Sequence, residues 1–376
     1  MADPKNRRTR KRSRNGFLDI LNGFLTLLVI GLVVVGGVLL YGVSQFYGNG
    51  PAQADTVFRV EAGNGLGTTA QRLEEQGLIS NRYVFQLGGR ALERQAMLKA
   101  GDFTIPAGAS MADILKELTE GNPLRYAVVV PEGWTSWEAV QRINGDSNLV
   151  GEITALPPEG SLLPGSYDYL PGDTRQSVID KMQAAMQAQL AEIWAARNPD
   201  LPLETPEEML VLASIVEKET GVASERPQVA AVFVNRLREG MRLQSDPTII
   251  YGITNGQASL GRGLRRSEIE AKTPFNTYQI DGLPPTPIAN PGAEALRAVA
   301  NPDSHDYLYF VAKGPVPSDG HAFAETYAEH QRNVARWREI ERELAAQAEA
   351  DAQAARQALE AEQAEEAGET APAAPQ

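Results

Sequence analysis

Glu217 and Glu219 sit two positions apart in a segment, residues 206–220, that reads as a helix with Pro206 at its head and Gly221 just past its end. At 100° per residue, Leu212, Ile215, Val216 and Glu219 share one face, so a carboxylate completes an apolar stripe. Glu217 lies roughly 160° away around the same helix, and the two carboxylates cannot serve one site. Glu219 also falls in the last turn, where the negative end of the helix dipole and partial desolvation both disfavour ionisation. Both effects raise its pKa, as a general acid working near neutral pH requires. A carboxylate snorkelling at a helix end, or pairing with Arg226 or Arg236, is the plainer reading of this segment taken alone.

The residues that follow bear on that choice. Residues 224–239 form a helix with Val229, Val232, Phe233 and Leu237 inward, stopped by Gly240. A non-periodic polar cluster, Gln244-Ser245-Asp246-Pro247-Thr248 with Tyr251, then interrupts an apolar stretch. Amides, hydroxyls and aromatic rings suit sugars, whose hydroxyls take paired hydrogen bonds and whose ring faces stack on aromatics. Asn276-Thr277-Tyr278 repeats this chemistry, and the proline-stiffened loop 282–292 is rigid and apolar enough to wall a cleft. A strand at 307–312 precedes a polar turn with His321 and Phe323, then a helix carrying Glu329 and His330.

The elements that must position these groups belong to a chain of 376 residues with 43% hydrophobic and 22% charged residues, enough for about two domains. With no cysteine and three histidines, thiol chemistry is excluded and a metal site is not expected, nor is a cofactor. The net charge of -13 disfavours nucleic acid as a partner. That charge is unevenly spread. Lys5, Arg7, Arg8, Arg10, Lys11, Arg12 and Arg14 crowd the start, whereas residues 20–54 carry no charge. About 20 apolar residues from Phe24 to Val43 suffice to cross a bilayer. The expectation is a cytoplasmic basic segment at 1–19, a membrane helix at 20–47, and everything beyond on the far side. Ala52-Gln53-Ala54 leaves signal-peptide cleavage as an alternative, and the basic run could in principle contact nucleic acid.

From Thr56 short elements alternate as βααβα through residue 123. Gly63, Gly65 and Gly67 lack the context of a dinucleotide fingerprint and read as a turn. A strand at 126–130, a helix carrying Trp137, Val140 and Ile143, a proline- and glycine-rich loop at 159–167 and a helix at 174–197 follow. Beyond about residue 338 the chain is mainly Ala, Glu and Gln, predicting a helix that frays; the missing apolar heptad argues against a coiled coil.

In order along the chain, Ala213-Ser214-Ile215-Val216-Glu217-Lys218-Glu219-Thr220, Val234-Asn235-Arg236-Leu237, Met241-Arg242-Leu243-Gln244-Ser245-Asp246-Pro247-Thr248, Asn276-Thr277-Tyr278, Gly282-Leu283-Pro284-Pro285 and Tyr307-Leu308-Tyr309-Phe310-Val311 resemble the MltG (YceG-like) endolytic murein transglycosylases. The resemblance runs from the apolar helix to about residue 340. It departs from the family pattern at Pro164-Gly165-Ser166-Tyr167, where an acidic residue is usual, and at Glu329-His330-Gln331, where Asn is usual in third place.

The resemblance implies an α+β protein: a single N-terminal transmembrane helix, a LysM-like subdomain at 56–123, a larger α+β catalytic domain at 124–340 and a tail at 341–376. It implies cleavage of the β-1,4 bond between N-acetylmuramic acid and N-acetylglucosamine within nascent strands, terminating their elongation. Glu219 falls on the family's catalytic acid. Gln244, Asp246, Asn276 and Tyr278 are the expected sugar contacts, by polarity and motif position, although Asp246 before Pro247 could merely cap a turn. Glycan strands, the inner membrane and peptidoglycan synthases are the implied partners, with the catalytic part periplasmic. One carboxyl suffices if the muramoyl 6-hydroxyl is the nucleophile and closes a 1,6-anhydro ring. A muramidase using water, with Asp246 or Glu217 as second carboxylate, and a noncatalytic peptidoglycan-binding scaffold are the alternatives.

Overall fold

A computed structural model of the protein describes residues 16–369, so the basic segment before position 16 and the end of the tail lie outside the described residues. The described chain forms two compact units, one ending at Tyr126 and including residues 170–172, the other comprising Ala127–Tyr169 and the chain from Asp173 onward.

The first unit opens with α1 (Gly16–Tyr47), whose stretch Ile20–Tyr47 has a mean hydropathy of 2.7 and is long and apolar enough to cross a membrane. Its Leu, Val and Ile side chains are exposed along most of its length. Next come β1 (Thr56–Val60), α2 (Leu66–Glu75), α3 (Arg82–Ala91), β2 (Gly101–Ile105) and α4 (Met111–Glu120), in the βααβα order read from the sequence. β1 and β2 pair antiparallel, Thr56 opposite Ile105 and Val60 opposite Gly101. Alternation places Phe58 and Val60 on the core face, where they meet Leu73, Phe85, Phe103, Ile114 and Leu118. Asn81 caps α3 by accepting from the Tyr83 and Val84 amides, and Ser110 with Asp113 forms a capping box on α4. The buried Asp102 is held by two bonds from Arg59, at 2.7 and 2.9 Å, and one from the Tyr126 hydroxyl at 2.8 Å. Those bonds hold its carboxyl below its ordinary pKa, the Arg59 bond being the strongest influence.

The second unit takes in β3 (Tyr126–Val130) from its second residue on, paired with β4 (Gly165–Tyr169) and separated from it by α5 (Ser136–Asn144). Three helices then build the centre: α6 (Arg175–Ala195), α7 (Pro206–Glu219) and, after a 3-10 turn, α8 (Arg226–Arg238). α9 (Asp246–Thr254), the short α10 (Arg266–Glu270) and α11 (Ala293–Ala300) follow, then the antiparallel hairpin β5 (Tyr309–Ala312) and β6 (His321–Ala324), and finally α12 (Tyr327–Glu369). Leu212, Ile215, Val216, Val229, Phe233, Leu296 and Val299 form the core where α7, α8 and α11 meet. Asn290 is the polar centre of the 282–292 loop. Its amide donates to the Trp134 carbonyl and Glu159, and its side-chain oxygen accepts from the Leu162 amide.

Two stretches differ from the sequence reading. The strand expected at 307–312 starts only at Tyr309, because the carbonyls of His305, Tyr307 and Leu308 accept from Asn235 and Arg236 on α8 instead of entering a ladder. The polar cluster at 244–248 opens a helix: Ser245 stands at its N-cap and Pro247 in its first turn, where the missing N–H costs nothing.

α12 runs through the Ala/Glu-rich tail, and residues 341–358 are exposed throughout. Deleting residues 345–376 is therefore expected to leave unfolding cooperative and to move its midpoint by no more than about 2 °C. Differential scanning calorimetry of the truncated chain checks this, and a collapse of the transition would show that the tail packs on the body.

Candidate active site

α7 places Glu219. Thr205 caps the helix by accepting from the Glu208 amide, Pro206 fits the first turn, and Leu212, Ala213, Ile215 and Val216 are fully buried, which locks the helix rotation. Ser214 anchors the proline loop by accepting from the Ile288 amide at 3.0 Å. After Glu219 the chain turns extended at Thr220, leaving the Glu219 carboxyl at the end of the buried stripe and only partly exposed.

Ser245 meets that carboxyl. Its hydroxyl donates to Glu219 Oε1 at 2.5 Å. Burial raises the Glu219 pKa to about 7; the Ser245 bond opposes this, the charge of Asp246 adds to it and that of Arg236 opposes it. A carboxyl titrating near 7 carries a proton often enough to donate it and sheds it readily enough to act as base.

A polar lattice holds Ser245 in place. Its amide donates to Thr277 Oγ1 at 2.9 Å, and the Thr248 and Thr277 hydroxyls bond each other at 2.9 Å. The Gln244 amide donates to the Thr277 carbonyl at 3.1 Å, fixing a backbone with φ of 53° that a side-chain-bearing residue rarely adopts. The lattice thus binds the start of α9 to the 276–278 turn and aims Ser245 at α7.

The expected sugar contacts divide. Gln244 and Asp246 are exposed, and Asp246 Oδ1 accepts from the Tyr278 hydroxyl at 2.7 Å. Burial and this bond raise the Tyr278 pKa, so the hydroxyl stays a donor. Asn276 is fully buried instead. Its amide nitrogen donates to the carbonyls of Glu268, Ile269 and Ala271, and its oxygen accepts from the Tyr278 amide. This side chain shapes the turn that presents Tyr278, and its amide hydrogens go to backbone carbonyls.

Glu217 is likewise engaged. Its carboxylate is 5% exposed, accepts from the Gly292 amide at 2.9 Å and faces Arg226 at 3.5 Å. Burial raises its pKa too, and the bond from Gly292 ties it to the end of the proline loop.

Arg236 and Ser245 join the site, although the sequence offered Arg236 only as an ion-pair partner for Glu219 and Ser245 only as a member of the polar cluster. Arg236 is 6% exposed, and its guanidinium donates to the Leu308 carbonyl at 2.7 Å and the Leu243 carbonyl at 2.5 Å, lying over the Tyr309 ring. Its signal was its spacing: Arg236 continues the inward stripe of Val229, Val232 and Phe233 at helical intervals. Beside this constellation lies a cavity of about 560 Å³ lined by Lys218, Pro247, Ile250, Tyr251 and Arg262 among others. Among the described residues, no group of three or more His, Asp and Glu side chains is placed to hold a metal ion.

The two influences on Glu219 can be removed separately. Ser245→Ala deletes a bond that favours the charged form and is expected to move the alkaline limb of the pH–rate profile upward. Asp246→Asn deletes a repulsion and should move that limb downward. Profiles of kcat/KM for both variants check the opposite signs.

The YceG-like family model matches residues 58–336. The chain is 29% identical over 318 residues to an endolytic murein transglycosylase of Streptococcus pneumoniae serotype 2 (strain D39), covering 72% of this chain and 55% of that one. It is 25% identical over 336 residues to an endolytic murein transglycosylase of Bacillus subtilis (strain 168), covering 80% of this chain and 90% of the relative. It thus spans about half the length of the pneumococcal relative and most of the Bacillus one. A crystal structure of a putative yceG-like protein from Listeria monocytogenes is similar over 75% of this chain and 99% of its own, with 25% identity and a TM-score of 0.45. With the family match covering well over half its length, the chain belongs to the YceG-like family.

Proposed function

We propose that this protein is a membrane-anchored endolytic lytic transglycosylase that cleaves the bond between N-acetylmuramic acid and N-acetylglucosamine inside peptidoglycan strands, with Glu219 as its single acid–base residue. The observation that carries the reading is the Glu219 carboxyl, raised to about 7 by burial and bonded by Ser245, in a chain whose relatives bear the name endolytic murein transglycosylase.

In the first step Glu219 gives its proton to the glycosidic oxygen, so the N-acetylglucosamine side leaves as an alcohol and positive charge develops at the muramoyl C1. The carboxylate of Asp246, bonded by Tyr278, stabilises that charge. In the second step ionised Glu219 takes the proton of the muramoyl 6-hydroxyl, whose oxygen bonds C1 and closes the anhydro ring. No water is consumed, and Glu219 regains its proton. Ser245 orients the carboxyl through both steps and stabilises its charged form between them.

α1 would hold the protein in the cell inner membrane with the basic N-terminus cytoplasmic and the chain beyond it outside, residues 56–123 being LysM-like. The nearness of Asp246 to Glu219 favours a second reading, a muramidase in which Asp246 directs water. Incubation of purified sacculi with the chain tests the endolytic reading: soluble fragments of mixed lengths support it, whereas disaccharides alone from the earliest times point to an end-cutting enzyme.

A further inference from the structure

The last turns of α1 are in contact with another helix. α3 crosses them at Gly88, where a side chain would collide with the Phe46 ring. α3 is also apolar on two sides. Phe85 and Gly89 face the core of the first unit, and Gly89 abuts Leu66. Tyr83, Val84, Leu87 and Ala91 lie on the other side, and Tyr83 and Leu87 are 66% and 65% exposed. Between that face and the end of α1 runs an apolar cavity of about 370 Å³, lined by Val38, Gly42, Phe46, Val84, Leu87 and Ala91 among others.

A helix that is apolar on both sides requires a second apolar neighbour, and the neighbour must match the surroundings of the groove. One wall of this groove is the end of Ile20–Tyr47, the stretch fit to cross a membrane. Crossing the hydrocarbon takes about 20 residues, so the 28-residue stretch leaves about two turns at the boundary. The rim has the chemistry of that boundary. Tyr41, Tyr47 and Tyr83 are exposed rings of the kind that settle at headgroup level. Ser80 donates to Gln45 at 3.0 Å, where the apolar run ends. Arg82 stacks on Tyr83 and faces Glu74 at 3.7 Å, and Arg90 is exposed, two cations on α3 in a chain whose net charge is -13. Such side chains reach for phosphate while their stems stay on apolar surface.

We propose that α3 is an interfacial lipid-binding helix: acyl chains fill the groove between α1 and α3, and Arg82 and Arg90 meet phospholipid phosphates. The proposal rests on reading α1 as a membrane span. Its consequence is that the first unit lies on the bilayer at a fixed height instead of swinging on a tether. Covering the groove with a second copy or another protein would leave the exposed Arg90 and the continuity with the span without a purpose.

The absence of cysteine allows single-site spin labels in the full chain. Leu87→Cys on α3, Val34→Cys within α1 and Gln71→Cys on the exposed side of α2 would each be labelled and reconstituted into vesicles of phosphatidylethanolamine and phosphatidylglycerol. The expected result is that the Leu87 label collides readily with oxygen and several-fold less with a water-soluble nickel chelate than the Gln71 label does. A Leu87 label as open to nickel as Gln71, with Val34 shielded, overturns the proposal and leaves the membrane span intact. A Leu87 label shielded from both reagents and broadened by a neighbouring spin assigns the groove to a second copy and also overturns it. Nickel access at Val34 removes the membrane span, and the proposal with it.

Discussion

Glu219→Gln is expected to lower strand cleavage by at least about 10²–10⁴-fold, the usual contribution of positioned acid–base assistance. Gln keeps the shape and can still accept from Ser245, but it cannot give a proton to the leaving oxygen or take one from the 6-hydroxyl. Glu217→Gln should keep substantial activity, because that side chain bonds Gly292 and Arg226 and has no path to the same sugar. Release of soluble fragments from sacculi measures both. Equal loss in the two variants would indicate damage to α7, unchanged cleavage with Glu219→Gln would overturn the single-acid mechanism, and no cleavage even by the wild type would favour the scaffold reading.

The same substitution carries a stability signature. The unfolded chain ionises Glu219 at its ordinary value of 4.5, whereas the folded chain holds the proton up to about 7. The group's contribution to stability is therefore fully present below 4.5, falls as pH rises and levels off above about 7. Relative to the wild type, Glu219→Gln should gain in unfolding midpoint between pH 5 and pH 8.

Arg236→Met is expected to destabilise the second unit by about 3 kcal/mol and to lower activity in the fraction that remains folded. Arg236 donates to the Leu243 and Leu308 carbonyls from a buried position, and hydrogen bonds from charged groups are worth about 1.5–3 kcal/mol each. Met fills much of the volume but leaves both carbonyls unpaired. Leu243 leads into the Gln244–Ser245 segment and Leu308 into β5, so both sides of the site lose an anchor. Removing a positive charge near Glu219 should also raise that carboxyl's pKa further. Urea unfolding gives the stability loss, and an alkaline limb moved to higher pH separates the electrostatic part from it.

Periodicity made the backbone of the site legible. The stripe of Leu212, Ile215, Val216 and Glu219 follows from 3.6 residues per turn, and the structure buries the three apolar members completely. The βααβα order of the first unit was readable for the same reason, since each element carries its own cap or turn: Asn81, Ser110 and the glycines around Gly63. The partner of Glu219 was harder to read. Ser245 reaches it through a lattice of Thr248 and Thr277, a pairing across 32 positions that no local pattern encodes. Asn276 and Tyr278 carried the same polar signal, yet one is folded inside and the other turned out, because a short turn decides by its hydrogen bonds which side chain faces the cleft. α9 was hidden by the polar residues that begin it.

One carboxyl, Glu219, is expected to cleave the strand without water. The direct measurement is mass spectrometry of fragments released from sacculi by the chain in ¹⁸O-labelled water. New muramoyl ends that are 1,6-anhydro and carry no label are the predicted result. Reducing muramoyl ends bearing ¹⁸O would contradict it and make Asp246 the carboxylate that directs water.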